Sequence, residues 1–196
     1  MDLKSRIVVF IGPEGSGKTT MAKKLAEQTG LPRITTGDII RDLAKNDDGP
    51  LGEECRTILK ANTYLSPESF LKIMSERFRQ KDVSEGMILD GSMRTLRETQ
   101  DFHLVLREAS LRLPLSVVYL HIPLLTSFSR LVFSKNARKR DDDTLLGVAG
   151  RLSVFHFQLN KRVEAIRNQQ GWSLQKVDAT QPMEQVFEEI LHVLSF

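Results

Sequence analysis

Arg6-Ile7-Val8-Val9-Phe10-Ile11-Gly12-Pro13-Glu14-Gly15-Ser16-Gly17-Lys18-Thr19-Thr20 is the stretch whose reading decides the fold. Arg6–Ile11 is an apolar run that reads as a strand. Gly12–Thr19 fits the pattern G-x-x-x-x-G-K-[ST]. Thr19–Gln28 reads as a helix that Gly30-Leu31-Pro32 stops. A glycine-rich turn between a strand and a helix is a phosphate loop. The glycines let backbone N–H groups turn inward around an anion. The helix points its positive end at the same phosphates. Lys18 reaches the outer phosphates of a nucleoside triphosphate, and the Thr19 hydroxyl can hold Mg²⁺. Gly12, Gly15, Ser16, Gly17, Lys18, Thr19 and Thr20 are therefore the candidate ATP-binding residues.

Outward from this loop, short apolar runs alternate with helical segments. Helices are expected over Gly37–Lys45, Leu51–Ala61 and Pro67–Lys81. Met87–Leu89 reads as a buried strand cut off by Asp90-Gly91, and Thr95–Arg107 as a helix. Pro114 precedes the strongest strand, Ser116–Ile122, and a helix from Leu124 to about Phe133 follows. Ser134–Asp143 is a highly charged loop. Asp143 or Thr144 is placed to cap a long helix reaching about Gln170. Leu174–Val177 is a last strand, and Pro182–Leu194 a last helix with proline near its first turn. Strands separated by helices predict parallel pairing and a doubly wound, three-layer α/β/α sheet. Ligands of such sheets bind beyond the carboxyl ends of the strands.

The 196 residues, 40% hydrophobic and 27% charged, suit one soluble domain. No apolar run approaches the roughly 18 residues that span a bilayer. The N-terminus lacks a signal-peptide pattern, so a cytoplasmic protein is expected. The single Cys55 excludes an internal disulfide and a cysteine metal cluster, and reads as an inert buried thiol. A net charge of +3 is too small to imply nucleic-acid binding, and phosphate-rich small ligands explain it as well. His103, His121, His156 and His192 show no metal-ligand spacing. Phe128, Phe133, Phe155 and Phe157 are expected in the core. No Asn/Thr-Lys-x-Asp guanine-reading motif is present.

At this point the chain resembles the adenylate kinase family of nucleoside monophosphate kinases, over almost its whole length and in the family's order. Gly12–Thr20 resembles G-x-P-G-S-G-K-[GT]-T. Ile34–Arg41 resembles [ST]-[TA]-G-D-x-[LI]-R. Gly49–Gly52 and Tyr64–Glu68 look like the rest of the monophosphate-binding insert. Leu89–Thr95 is similar to D-G-F-P-R-T, and Val177–Pro182 to [VI]-D-[AG]-x-x-[PS]. Arg130 begins an R-L-x-x-x pattern, Arg140–Asp143 resembles R-x-D-D, and Arg151-Leu152 resembles K-R-L. The resemblance implies a P-loop kinase fold with a five-stranded sheet. The core would be 1–35, 67–133 and 144–196, the insert about 36–66, and a short lid about 134–143. It implies transfer from ATP·Mg²⁺ to a nucleoside monophosphate, and a monomer is expected because the lid and insert must swing freely. Lys18, Arg94, Arg140 and Arg151 would be catalytic. Arg130 and the turn at Gln181 would meet the donor base. Thr36, Arg41, Tyr64, Leu65, Gly91, Arg94 and Glu98 would bind the monophosphate. Thr19 and Asp90 would serve Mg²⁺, Asp90 through water.

The residue chemistry agrees with this implication. Phosphoryl transfer needs two phosphate-bearing substrates held in line, with their charge spread by cations. Arginine suits the task because it is always charged and forks onto phosphate oxygens. The chain departs from the family pattern in three places. Ser92-Met93 replaces F-P, and Ser134, followed by Lys135, stands where another arginine is usual. Glu98 stands where adenylate kinases carry glutamine. An ionised carboxylate only accepts hydrogen bonds, which suits donors on cytosine or guanine, whereas Thr36 is of the adenylate type. AMP is the expected acceptor, with CMP, UMP or GMP as alternatives. A kinase acting on another small acceptor, or a nucleotide-binding regulatory protein with a degenerate lid, remains a rival.

Overall fold

The apolar run ahead of the glycine turn forms β1 (Arg6–Ile11), the middle strand of the sheet. The computed structural model describes residues 5–61, 63–132 and 145–195, and for residues 132, 145–149 and 151 only the backbone. After β1 come α1 (Lys18–Thr29), β2 (Arg33–Thr35), α2 (Thr36–Asn46), α3 (Pro50–Ala61) and α4 (Pro67–Phe78). Then follow β3 (Gly86–Asp90), α5 (Leu96–Glu108), β4 (Leu115–His121) and α6 (Leu124–Val132). The chain ends with α7 (Leu145–Arg167), β5 (Trp172–Asp178) and α8 (Met183–Leu194).

The sheet order is β2-β3-β1-β4-β5, and every pairing is parallel. β1 lies between β3 and β4, so the chain leaves it at the point where the strand order reverses. Open α/β sheets bind ligands in the crevice there. The register sets Phe10 beside Asp90, and Asp90 beside Thr35. The carboxyl ends of three strands therefore stop at one level, just below the phosphate loop.

Both faces of the sheet are covered, which is why β1 is apolar at every position after Arg6. Ile7, Val9 and Ile11 pack with residues of α2 to α5 and α7, including Ile40, Cys55, Phe70, Phe102 and Ile166. Val8 and Phe10 face the other way, against Met21 and Leu25 of α1 and Ile190 and Leu194 of α8. Each such burial contributes roughly 1.5–3 kcal/mol. Cys55 is fully buried, and burial raises its thiol pKa. Among the phenylalanines expected in the core, Phe157 is 83% exposed and Phe128 is 36% exposed. Phe155 is half-buried, and Phe133 lies outside the described residues. β2 is a strand that the sequence reading did not name. It is short and polar at both ends, and pairing with β3 makes it a strand.

Local chemistry fixes α2, α3 and α4. Ser66 caps α4 by accepting from Ser69 N–H at 3.3 Å, with Pro67 in the first turn. Glu54 on α3 accepts from Ser66 N–H at 2.8 Å, tying α3 to that cap. Asp47 ends α2, and its carboxylate accepts from Gly49 N–H and Gly52 N–H. Gly52 is where α3 passes against this turn: a Cβ there would lie 1.9 Å from the Asp47 carbonyl oxygen. Backbone, not a flexible side chain, would have to move. Gly52→Ala should therefore destabilise the protein by about 2 kcal/mol or more. The check is urea unfolding, with a lowered midpoint at unchanged slope.

Candidate active site

Gly12 follows β1 with φ 155°. A Cβ on it would lie 2.7 Å from both the Leu120 carbonyl oxygen and the Ser16 hydroxyl. Only glycine lets the loop turn that close to β4. α1 begins at Gly17 in a left-handed conformation (φ 89°) with no side-chain cap. Its first N–H groups are left to an anion. Lys18 folds back over the loop, donating to the Gly12 and Pro13 carbonyls at 2.8 and 2.7 Å. Burial lowers its pKa to about 8, against the opposing pull of Glu14 and Asp90.

Asp90 ends β3 and is 3% exposed. One carboxylate oxygen accepts from the Thr19 hydroxyl at 3.2 Å and the other from Arg33 at 2.9 Å. Arg33 also donates to Thr35 at 2.6 Å. It thus neutralises a buried carboxylate and aims it, a role that sequence reading missed. The Thr19 hydroxyl and the Asp90 carboxylate form an all-oxygen pair beside the phosphate loop. That donor chemistry fits Mg²⁺, which takes oxygen ligands and keeps several waters.

Two arginines gather at the carboxyl edge beyond β2 and β3. Arg94 Nε donates to the Gly91 carbonyl at 2.6 Å. Arg41 pairs with Asp38 one turn earlier on α2. Their guanidinium groups converge over Gly37: a Cβ there would lie 3.3 and 3.4 Å from the Arg41 Nη atoms and 3.4 Å from Arg94 Nη2. Glycine at 37 leaves that space open. Thr36 is buried, with its hydroxyl 2.9 Å from that of Ser92. Glu98 accepts from Arg94 N–H at 2.8 Å, while its own N–H is held by Thr95, the cap of α5. Burial raises its pKa. Here Glu98 fastens the turn that carries Arg94.

Arg130 on α6 donates to the Gly15 and Ala179 carbonyls at 3.3 and 2.9 Å. It joins the phosphate loop to the turn that carries Gln181. One cavity of about 970 Å³ collects Lys18, Thr19, Arg41, Tyr64, Asp90, Gly91, Arg94, Arg130 and Gln181 along its wall. Thr36, Leu65 and Glu98 are not among its lining residues. Arg33 and Arg162 line it without having been singled out from sequence, and so does Phe155, which was expected in the core. Arg162 occupies an apolar-stripe position of α7, in the series Leu152, Phe155, Leu159, Arg162, Ile166; that spacing was the available signal. Arg140, Ser134, Lys135, the proposed cap at Asp143 or Thr144 and the 134–143 segment lie outside the described residues, as does the Arg151 side chain. Among the described residues, no helix is long and apolar enough to cross a membrane.

A sequence model of the adenylate kinase family matches residues 10–170. An adenylate kinase of Cyanothece sp. is 33% identical over 190 residues, covering 97% of this chain and 95% of that protein. An adenylate kinase of Mycolicibacterium smegmatis is 32% identical over 189 residues, covering 95% and 98%. One of Mycobacterium leprae is 29% identical, again covering 95% and 98%. The match runs from the end of β1 through α7, so it takes in the phosphate loop, Arg41, Arg94 and the buried carboxylate together. This chain belongs to the adenylate kinase family.

Proposed function

We propose that the protein transfers the γ-phosphoryl group of ATP to AMP, giving two ADP. The observation that carries this reading is the convergence of Arg41 and Arg94 over Gly37, in the same cavity as the phosphate loop. Two forked cations make a second anion site, which ATP hydrolysis alone would not need. The bond from the γ-phosphorus to the bridging oxygen of ATP breaks, and one forms to a phosphate oxygen of AMP. That oxygen is already an oxyanion, so no general base is required.

Lys18 and the loop N–H groups hold the donor phosphates, and Arg41 and Arg94 hold the acceptor phosphate. Arg140 and Arg151 are assigned to the transferring group by their match to the family motifs. Arg130 and the turn at Gln181 flank the donor base, and Thr36, Tyr64, Leu65 and Gly91 back the acceptor. Thr19 and Asp90 would hold Mg²⁺ bound to ATP, Asp90 through water; when bound, the ion neutralises charge on the phosphates. Closure of the 36–66 insert over the acceptor excludes water and suppresses hydrolysis. The chain acts as a cytoplasmic monomer.

Calorimetric titration with a dinucleoside pentaphosphate tests the two-site reading. A bisubstrate ligand should bind at least about a hundredfold more tightly than ATP, because one molecule fills both sites. Equal affinity would count against a second nucleotide site.

Lys18 adds a pH dependence. Its folded pKa near 8 makes it partly neutral above that pH in the ligand-free protein. Triphosphate favours the ammonium form and raises that pKa again. ATP binding at pH 8.5 should therefore take up protons, and affinity should fall as pH rises through 8. Titrations in two buffers of different ionisation enthalpy measure the uptake, which Lys18→Met should abolish.

A further inference from the structure

Arg162 is 1% exposed, deep in the wall of the cavity. Its Nη2 donates to the Met93 carbonyl. Its Nε and Nη1 are buried, with no hydrogen-bond partner among the described residues. The guanidinium lies 4.9 Å from the centre of the Phe155 ring. A buried cation with unmet donors is costly, and such a group calls for an explanation. Packing does not supply one, since a leucine would satisfy the stripe of α7 better. Glu98 is the anion that most favours the charge on Arg162, yet no ion pair joins the two among the described residues. Glu98 accepts from the Arg94 N–H, and a carboxylate has room for further donors.

The surroundings identify what the donors await. Arg41 and Arg94 already converge where a phosphate would sit. Arg162 lies instead against Met93 and Phe155, with Tyr64 on the same cavity wall, and Glu98 accepts from the Arg94 N–H of the same peptide group whose Met93 carbonyl accepts from Arg162. A flat heterocycle suits those rings and apolar atoms better than a phosphate does. Adenine presents a donor, N6–H, next to an acceptor, N1. One glutamine amide could meet both; the carboxylate of Glu98 can meet only the first.

We propose that Arg162 is a specificity-determining residue that donates to N1 of the acceptor adenine while Glu98 accepts from N6–H. Arg162 and Glu98 thus divide between two side chains what one amide does. This resolves the conflict between Glu98 and AMP, and it rests on the acceptor-nucleotide reading above. It also explains why an unsatisfied cation is held in the core: the fold gives up stability at a site that substrate completes.

The test is calorimetric AMP affinity and thermal melting for wild type, Arg162→Met, Arg162→Lys and Glu98→Gln/Arg162→Met. Direct binding separates this proposal from the kinase reading, because wild type that binds AMP without turnover leaves Arg162 fully testable. Arg162→Met should weaken AMP at least about tenfold with ATP affinity within about twofold, while its melting temperature stays equal or rises. The double variant should regain AMP affinity to within about threefold, since the amide supplies both bonds. Should Arg162→Met fail to fold, Arg162→Lys keeps the charge, loses the fork, and should still weaken AMP about fivefold or more. Lower melting with unchanged AMP affinity would mean a structural role and overturn the proposal. So would wild type that fails to bind millimolar AMP.

Discussion

Lys18→Met is expected to lower kcat by about a thousandfold or more, in the range seen when a cation that stabilises transition-state charge is removed from phosphoryl transfer. Without nucleotide, Lys18 satisfies the carbonyls of Gly12 and Pro13. Its ammonium is therefore held over the loop before ATP arrives and needs little rearrangement to meet the outer phosphates. Methionine fills similar volume but carries no charge, and it leaves the two carbonyls without that donor. A stability loss of about 1–3 kcal/mol should accompany the kinetic loss. Lys18→Arg should rescue poorly, because a planar fork cannot replace a compact point charge in so tight a loop. Steady-state kinetics with thermal melting separates the two effects: a catalytic role requires a kcat loss far larger than melting explains.

Arg94→Ala should be nearly as severe, lowering kcat about a hundred- to thousandfold and raising the acceptor KM, with the ATP KM changed little. Its side chain is anchored by the Gly91 carbonyl and its backbone N–H by Glu98. The guanidinium is thus positioned from both ends of the turn before substrate binds. Arg94→Lys should recover only part of the loss, since lysine offers charge without a fork. An equal rise of both KM values would instead indicate that the whole cavity had been disturbed.

Much of this site was legible because it is encoded locally. The phosphate loop follows one apolar run, Asp90 closes another, and Arg94 comes just after the Gly91 turn, so all three are visible in a linear pattern. What was hidden depends on tertiary packing. β2 is a strand because β3 offers it a ladder, not because Arg33-Ile34-Thr35 favours one. Arg33 finds Asp90 across 57 positions of chain, a pairing no spacing rule could supply. Glu98 read as a base contact by its offset from Arg94, while the fold also shows it bracing the Arg94 turn. Phe157 fits a helical pattern but faces outward, because α7 packs through the stripe that contains Leu152, Leu159 and Ile166. The same stripe holds Arg162, which is buried at an interior position and which the sequence reading did not name.

The most direct test of the central claim is a coupled assay of the purified protein with ATP·Mg²⁺ and AMP, CMP, UMP or GMP in separate reactions, with Arg94→Ala alongside. AMP-dependent ADP formation, lost in the variant, is the predicted result. Activity with CMP, UMP or GMP in place of AMP would keep the kinase and overturn the adenine reading of Glu98 and Arg162. ATP binding with no acceptor-stimulated turnover in any reaction would contradict the account as a whole.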